Sequence, residues 1–110
     1  MKIKSPYTNG SYEVFLKIEH YVNNDNLAIV VYVDEGHYYE QYGMLTVNLG
    51  EKLTDGEAYV DTNNIPNAEE FIAEYELGTP LGVLRRSGFC EYPLYNFNLE
   101  NVKKYEREEA

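Results

Sequence analysis

The sequence predicts an α+β domain. It expects an antiparallel meander sheet of four to five strands, one main helix over about 68–77 packed on one face, and a short C-terminal helix. Three observations carry this. Residues 11–21 and 39–49 alternate apolar and polar side chains, residues 27–33 are continuously apolar, and Ala68, Phe71, Ile72 and Tyr75 recur at i, i+3, i+4, i+7. A period of two belongs to half-buried strands and a period near 3.6 to a helix with one buried stripe. With 110 residues the chain reads as a single domain, 1–110, with an ordered core over about 5–106.

Residues 1–10 read as a lead-in that ends in the turn signal Asn9-Gly10. In the first strand Tyr12, Val14, Leu16, Ile18 and His20 share one face. Asn23-Asn24-Asp25-Asn26 is a turn cluster, because Asn and Asp tolerate left-handed backbone. The run Leu27 to Val33 is apolar on both faces and predicts a central strand. After a turn at Asp34-Glu35-Gly36-His37, the 39–49 segment puts Leu45, Val47 and Leu49 on one side. A loop at 50–56 precedes a short strand, Ala58-Tyr59-Val60.

Asn67 is the expected N-cap of the main helix, with Glu70 completing a capping box and Gly78 expected in the left-handed position that ends it. Residues 82–88 read as loop or weak strand. Residues 89–97 read as a last strand that Pro93 confines to an edge or a bulge. Asn98 can cap a helix over 99–106, and residues 107–110 are expected to fray.

Charge limits the function classes. Nine basic against 19 acidic residues give −10, and between Ile18 and Leu84 Lys52 is the one base among 13 acids. Such a surface repels phosphate, so direct nucleic-acid binding and anionic-membrane binding are disfavoured, while a protein partner with a basic surface would be attracted. No apolar run approaches the length of a membrane span. The single Cys90 allows no internal disulfide, and with no apolar signal core at the N-terminus the cytoplasm is the expected compartment.

Candidate chemistry is sparse. Two histidines and one cysteine do not supply a zinc set, and no metal or cofactor is expected. Asp61-Thr62-Asn63-Asn64 begins like a calcium loop but has Pro66 where the glycine and Ile72 where the last acid would stand. His20 reads as a core or rim histidine, and Cys90 as a buried inert thiol. A small hydrolase or transferase using either is the third-ranked reading. Arg85, Arg86 and Ser87 form the one local positive feature, suited either to a carboxylate or phosphate or to the chain's own acids. Among twelve tyrosines, Tyr38, Tyr39, Tyr42 and Tyr59 are the candidates to line the sheet face away from the helix as a binding surface.

The segment Tyr59-Val-Asp-Thr-Asn-Asn-Ile-Pro-Asn-Ala-Glu-Glu-Phe-Ile, with Leu77-Gly78, Arg86-Ser87-Gly88-Phe89 and Tyr92-Pro93-Leu94-Tyr95-Asn96-Phe97, resembles a family of small domains of unknown function. These are carried on bacterial conjugative transposons and related mobile elements. The resemblance covers roughly the C-terminal half. It implies an accessory bacterial protein and brings no catalytic residue with it. The leading expectation is a non-enzymatic protein-interaction module with an acidic, Tyr-rich surface. The alternative is an acidic DNA mimic that inhibits a restriction or defence protein.

Overall fold

The computed structural model describes residues 1–107. Its strands are β1 (Lys2–Lys4), β2 (Ser11–His20), β3 (Leu27–Asp34), β4 (Tyr39–Met44), β5 (Thr46–Val47), β6 (Glu57–Val60), β7 (Gly78–Ser87) and β8 (Cys90–Phe97). The helices are α1 (Ala68–Glu74) and α2 (Leu99–Lys104). The strands form two four-stranded antiparallel sheets, ordered β1-β2-β3-β4 and β5-β6-β8-β7. The single meander expected from the sequence is therefore only the first half of the molecule. Residues 1–10, read as a lead-in, contribute β1.

Leu45 joins the sheets. Its amide donates to Ile29 O at 2.8 Å while its carbonyl accepts from Asp61 N at 2.9 Å. The chain thus leaves β3 and enters pairing with β6 across one fully buried leucine. The predicted 39–49 strand is broken there into β4 and β5. Both sheets feed one core: Ile3, Val14, Leu16, Ile29 and Val31 from the first, Ala58, Val60, Tyr95 and Phe97 from the second. β3 lies between β2 and β4 and is buried from Leu27 to Val31, as an all-apolar strand requires.

α1 is seven residues long and buries Ala68, Phe71 and Ile72, the predicted stripe. Those three side chains enter the core that both sheets share. The helix's bonds reach one strand of each sheet: Asn67 Nδ2 donates to Lys4 O at 2.8 Å, and the Tyr95 hydroxyl donates to Glu69 at 2.8 Å. Asn67 spends its amide on β1, makes no side-chain cap bond, and leaves its Oδ1 buried without a partner. The predicted capping box is absent. The helix ends at Glu74, three residues short of the expected 77, and its left-handed position falls two residues before Gly78. Glu76 takes the left-handed position (φ 53°), with Glu76 N bonded to Ala73 O and Leu77 N to Ile72 O, a Schellman pair. Gly78 instead begins β7, where a Cβ would lie 2.8 Å from Asn96 O. Asn98 caps α2 by accepting from Asn101 N at 3.2 Å.

β7 is longer and better paired than the loop or weak strand expected over 82–88. Gly78, Pro80 and Gly82 look like loop punctuation, yet residues 78–87 pair with β8 through a two-residue hairpin loop at Gly88-Phe89. Gly88 supplies φ +62° at the first loop position. The ladder shifts register between Pro80 and Leu84, so 81–83 form a bulge opposite Leu94. Pro93 sits in an inner strand, against the edge expectation but at this bulge. Ser87 and Cys90 close the hairpin as a hydrogen-bonded pair, and antiparallel alternation makes Leu84↔Pro93 a non-bonded pair. The N–H that proline lacks is therefore not needed by β7, and pairing with β6 stops at Leu94.

Candidate functional site

The Asn-rich turn determines where the second sheet receives its charge. Asn24 Nδ2 donates to Asn48 Oδ1 at 2.9 Å, Asn26 Nδ2 donates to Glu51 O at 2.7 Å, and Leu53 N donates back to Asn26 Oδ1 at 3.0 Å. Asp25 adopts φ 60° to make the turn. The 48–53 loop is thereby held against the first sheet, and Glu51 is presented to the outer face of the second. There Glu51 Oε1 accepts the Tyr59 hydroxyl at 2.5 Å and lies 2.8 Å from Arg85 Nη1. The hydrogen bond from Tyr59, followed by the Arg85 guanidinium, pulls the Glu51 carboxyl below its ordinary value. Burial and the same carboxylate raise the Tyr59 hydroxyl, and the bonds to Glu51 and Tyr59 raise Arg85.

Arg86 differs. It stands on the opposite face of β7, and its one side-chain hydrogen bond runs from Nε to Gly88 O at 3.4 Å. No ion pair holds it among the described residues. Around it the strand is apolar and open: Leu81 is 42% exposed, Val83 45%, Leu84 63%, and Phe89 at the hairpin tip fully so. Residues 77–90 contain no carboxylate, the longest acid-free run in this acidic chain. The sequence candidates Arg85, Arg86 and Ser87 thus fall together beside an apolar strip. That strip escaped sequence reasoning because Leu81, Val83 and Leu84 lack the alternation of a recognisable strand.

The four candidate tyrosines do not share a face. Tyr38 lies in the turn before β4, Tyr42 packs against the core and beside Tyr12 (5.7 Å between rings), and Tyr59 is buried on the second sheet. Tyr39 stands edge-on to both Phe15 and Tyr32, each 5.3 Å away, while Phe15 and Tyr32 stack at 5.3 Å. These three rings floor a cleft of about 530 Å³ on the first sheet, rimmed by Lys17, Lys103, Lys104, Glu106 and Arg107. Arg107 closes over it, 5.2 Å above the Phe15 ring and 3.5 Å from Asp34 Oδ1.

Among the described residues no cysteine or histidine nucleophile is hydrogen-bonded to a base. His20 is exposed at the end of β2 and lines a cleft of about 330 Å³ with Asp25, Thr54 and Asp55, but no side chain there is hydrogen-bonded to its imidazole. Cys90 is half-buried on the other sheet, more open than the buried thiol expected, and its neighbour Tyr92 has its hydroxyl raised by burial and by Cys90. Asp61, the head of the would-be calcium loop, is buried and accepts from both amides of Asn64. Among the described residues no group of three or more His, Cys, Asp or Glu is placed to hold a metal, and no helix is long and apolar enough to cross a membrane.

Several of the described acids are engaged within the fold. Glu51 is bound by Arg85, Glu57 by Thr54, Glu69 by Tyr95 and Asp34 by Arg107. The remaining described acids lie on β2 (Glu13, Glu19), β4 (Glu40), α1 and its end (Glu70, Glu74, Glu76), β8 (Glu91), α2 (Glu100), at Glu106 and in the turns.

Fold and site together define a small two-sheet α+β domain with an open edge strand. The chain belongs to the DUF4313 family, a domain of unknown function, whose model matches residues 15–110. No curated protein and no solved structure matches it.

Proposed function

We propose that this domain is a non-enzymatic protein-interaction module and that its contact surface is the β7–β8 hairpin. The supporting observation is a row of exposed apolar side chains, Leu81, Val83, Leu84 and Phe89, along the longest acid-free stretch of a −10 protein. Solvent-exposed apolar side chains gathered on one element mark contact surfaces more often than chance exposure does. Arg86, which no ion pair holds although Glu91 stands opposite it on β8, is the one cation the hairpin offers beyond the Glu51-bound Arg85. Attraction of a basic partner would therefore belong to the acidic faces, whereas the hairpin favours an acidic one. The resemblance to mobile-element domains directs the first search for that partner to bacterial cytoplasmic proteins encoded on the same element.

A photoreactive phenylalanine analogue at Phe89 or Leu84 tests the reading, with Tyr7, 91% exposed in the loop before β2, as the control site. Irradiation in a bacterial lysate is expected to give a discrete adduct from Phe89 and Leu84 that Tyr7 does not give. Identical adduct patterns from all three sites would remove the hairpin from consideration.

A further inference from the structure

The geometry points to strand addition as the binding mode: an extended acidic segment of a partner pairs with the free edge of β7 at Leu84 and Arg86. This rests on the hairpin being the contact surface and specifies how it is used. β7 bonds to β8 on one side only. Because Ser87↔Cys90 and Arg85↔Tyr92 are the bonded pairs of the hairpin, the N–H and C=O groups of Leu84 and Arg86 point away from β8. Among the described residues, no loop or side chain hydrogen-bonds to that edge.

The other edges are treated differently. The open side of β2 beyond β1 is covered: Tyr105 O accepts from Leu16 N at 2.9 Å, and the Glu106 carboxylate accepts from Ile18 N at 3.0 Å. The edge of β4 carries Glu40 and is interrupted by a register shift. β5 is two residues long. Charge, shortness and covering are the usual protections of a sheet edge. β7 has its bulge at 81–83, and beyond it the strand 84–87 runs straight with an exposed leucine and no acid.

Main-chain bonds from Leu84 and Arg86 would give affinity, and the side chains on alternate positions would give selectivity. Leu84 and Arg86 share one face. A partner segment that places an apolar residue against Leu84 and a carboxylate beside Arg86 fits both. A second copy of this chain fits less well, since its own edge strand carries no carboxylate to set beside Arg86, and its Glu91 already stands opposite its own Arg86 across the hairpin.

The test uses peptides selected from a random twelve-residue display library on the intact protein. Their affinities are then measured for the wild type, Arg86→Ala and Arg86→Pro. Proline removes the outward N–H of residue 86 without touching a bond to β8, whereas alanine removes only the guanidinium. Acid-bearing, β-prone peptides should be enriched, and Arg86→Pro should bind them about tenfold or more weakly than Arg86→Ala. Should Arg86→Pro fold poorly, amide exchange on the wild type decides. On peptide binding the Leu84 and Arg86 amides should become protected, while the Arg85 amide, already bonded to Tyr92, should not change.

Equal binding by Arg86→Pro and Arg86→Ala, or unprotected Leu84 and Arg86 amides, overturns strand addition. So does a library that yields nothing or yields basic peptides. A concentration-dependent dimer in sedimentation that Arg86→Pro dissociates would assign the edge to a second copy and overturn the acidic occupant. The photocrosslinks from Phe89 and Leu84 report on the hairpin itself, so loss of the mode and loss of the surface are separate results.

Discussion

Two parts of this surface concentrate aromatic or apolar side chains beside cations, and they end differently. On the first sheet, Phe15, Tyr32 and Tyr39 pack on one another, and Arg107 lies over them with its charge met by Asp34. On the second, Leu84 and Phe89 touch little, and Arg86 reaches only a neighbouring carbonyl. The first cluster is the richer in aromatic area, yet its groups serve one another. The lesson is that residue type marks a contact surface less well than unmet bonding capacity does. A tyrosine-rich face can be internal packing, while a strand with glycines and a proline can carry the open edge.

The most severe way to break this comparison is to ask whether the two parts belong to one cooperative unit. Leu45 links the sheets and is fully buried in their common core. Leu45→Ala is expected to cost about 3 kcal/mol, within the range for buried leucines. Urea unfolding followed by tyrosine fluorescence and by hairpin amide signals should shift together. A hairpin signal that melts at its original midpoint while fluorescence shifts would mean that β7 and β8 fold apart from the first sheet.

A smaller substitution pair sharpens the contrast directly. Phe15→Ala removes one member of the stacked trio and the ring beneath Arg107, and should destabilise by about 2 kcal/mol, since the side chain is only partly buried. Phe89→Ala removes a fully exposed ring and should stay within about 0.5 kcal/mol. Chemical denaturation of both variants checks this. Comparable losses would mean that Phe89 is held by contacts of the folded chain and is not held ready for a partner.

The same contrast explains what could be read from sequence. Strands β2, β3 and β6 and both helices were legible because their burial follows a simple period: Val14 and Leu16 in β2, the whole of Leu27–Val31 in β3, and Ala68, Phe71 and Ile72 in α1. The two-sheet layout was not, because the break at Leu45 is a tertiary event inside a segment that alternates throughout. Asn67 and Gly78 look like helix caps locally, but β1 claims the Asn67 amide and β8 approaches Gly78 too closely for a side chain. At the candidate site, Arg85, Arg86 and Ser87 were legible as a rare positive cluster. Which arginine is engaged was not, since Glu51 lies 34 positions away and reaches Arg85 only because the Asn turn holds its loop.

The subtlest prediction concerns that engagement. Glu51 has its carboxyl lowered from an ordinary value of 4.5 by the Tyr59 hydroxyl first and by Arg85 second. A carboxylate depressed in the folded state stabilises it above the unfolded value, and the contribution is lost as pH falls through the lower folded value. The stability difference between wild type and Glu51→Gln should therefore be constant from neutral pH down to about 4.5 and vanish below it. Both Glu51 and Arg85 are exposed enough for salt to shrink this difference, so it is the smallest expected effect on folding. Its effect on the hairpin should be opposite in sense. Releasing Arg85 from Glu51 leaves a second arginine without its carboxylate next to Arg86, so Glu51→Gln should bind an acidic peptide more tightly at neutral pH, with the gain fading at high salt. Unchanged or weaker binding would mean that the Arg85–Glu51–Tyr59 group stiffens β7 for its partner, and that the engaged arginine serves the open edge by holding it in place.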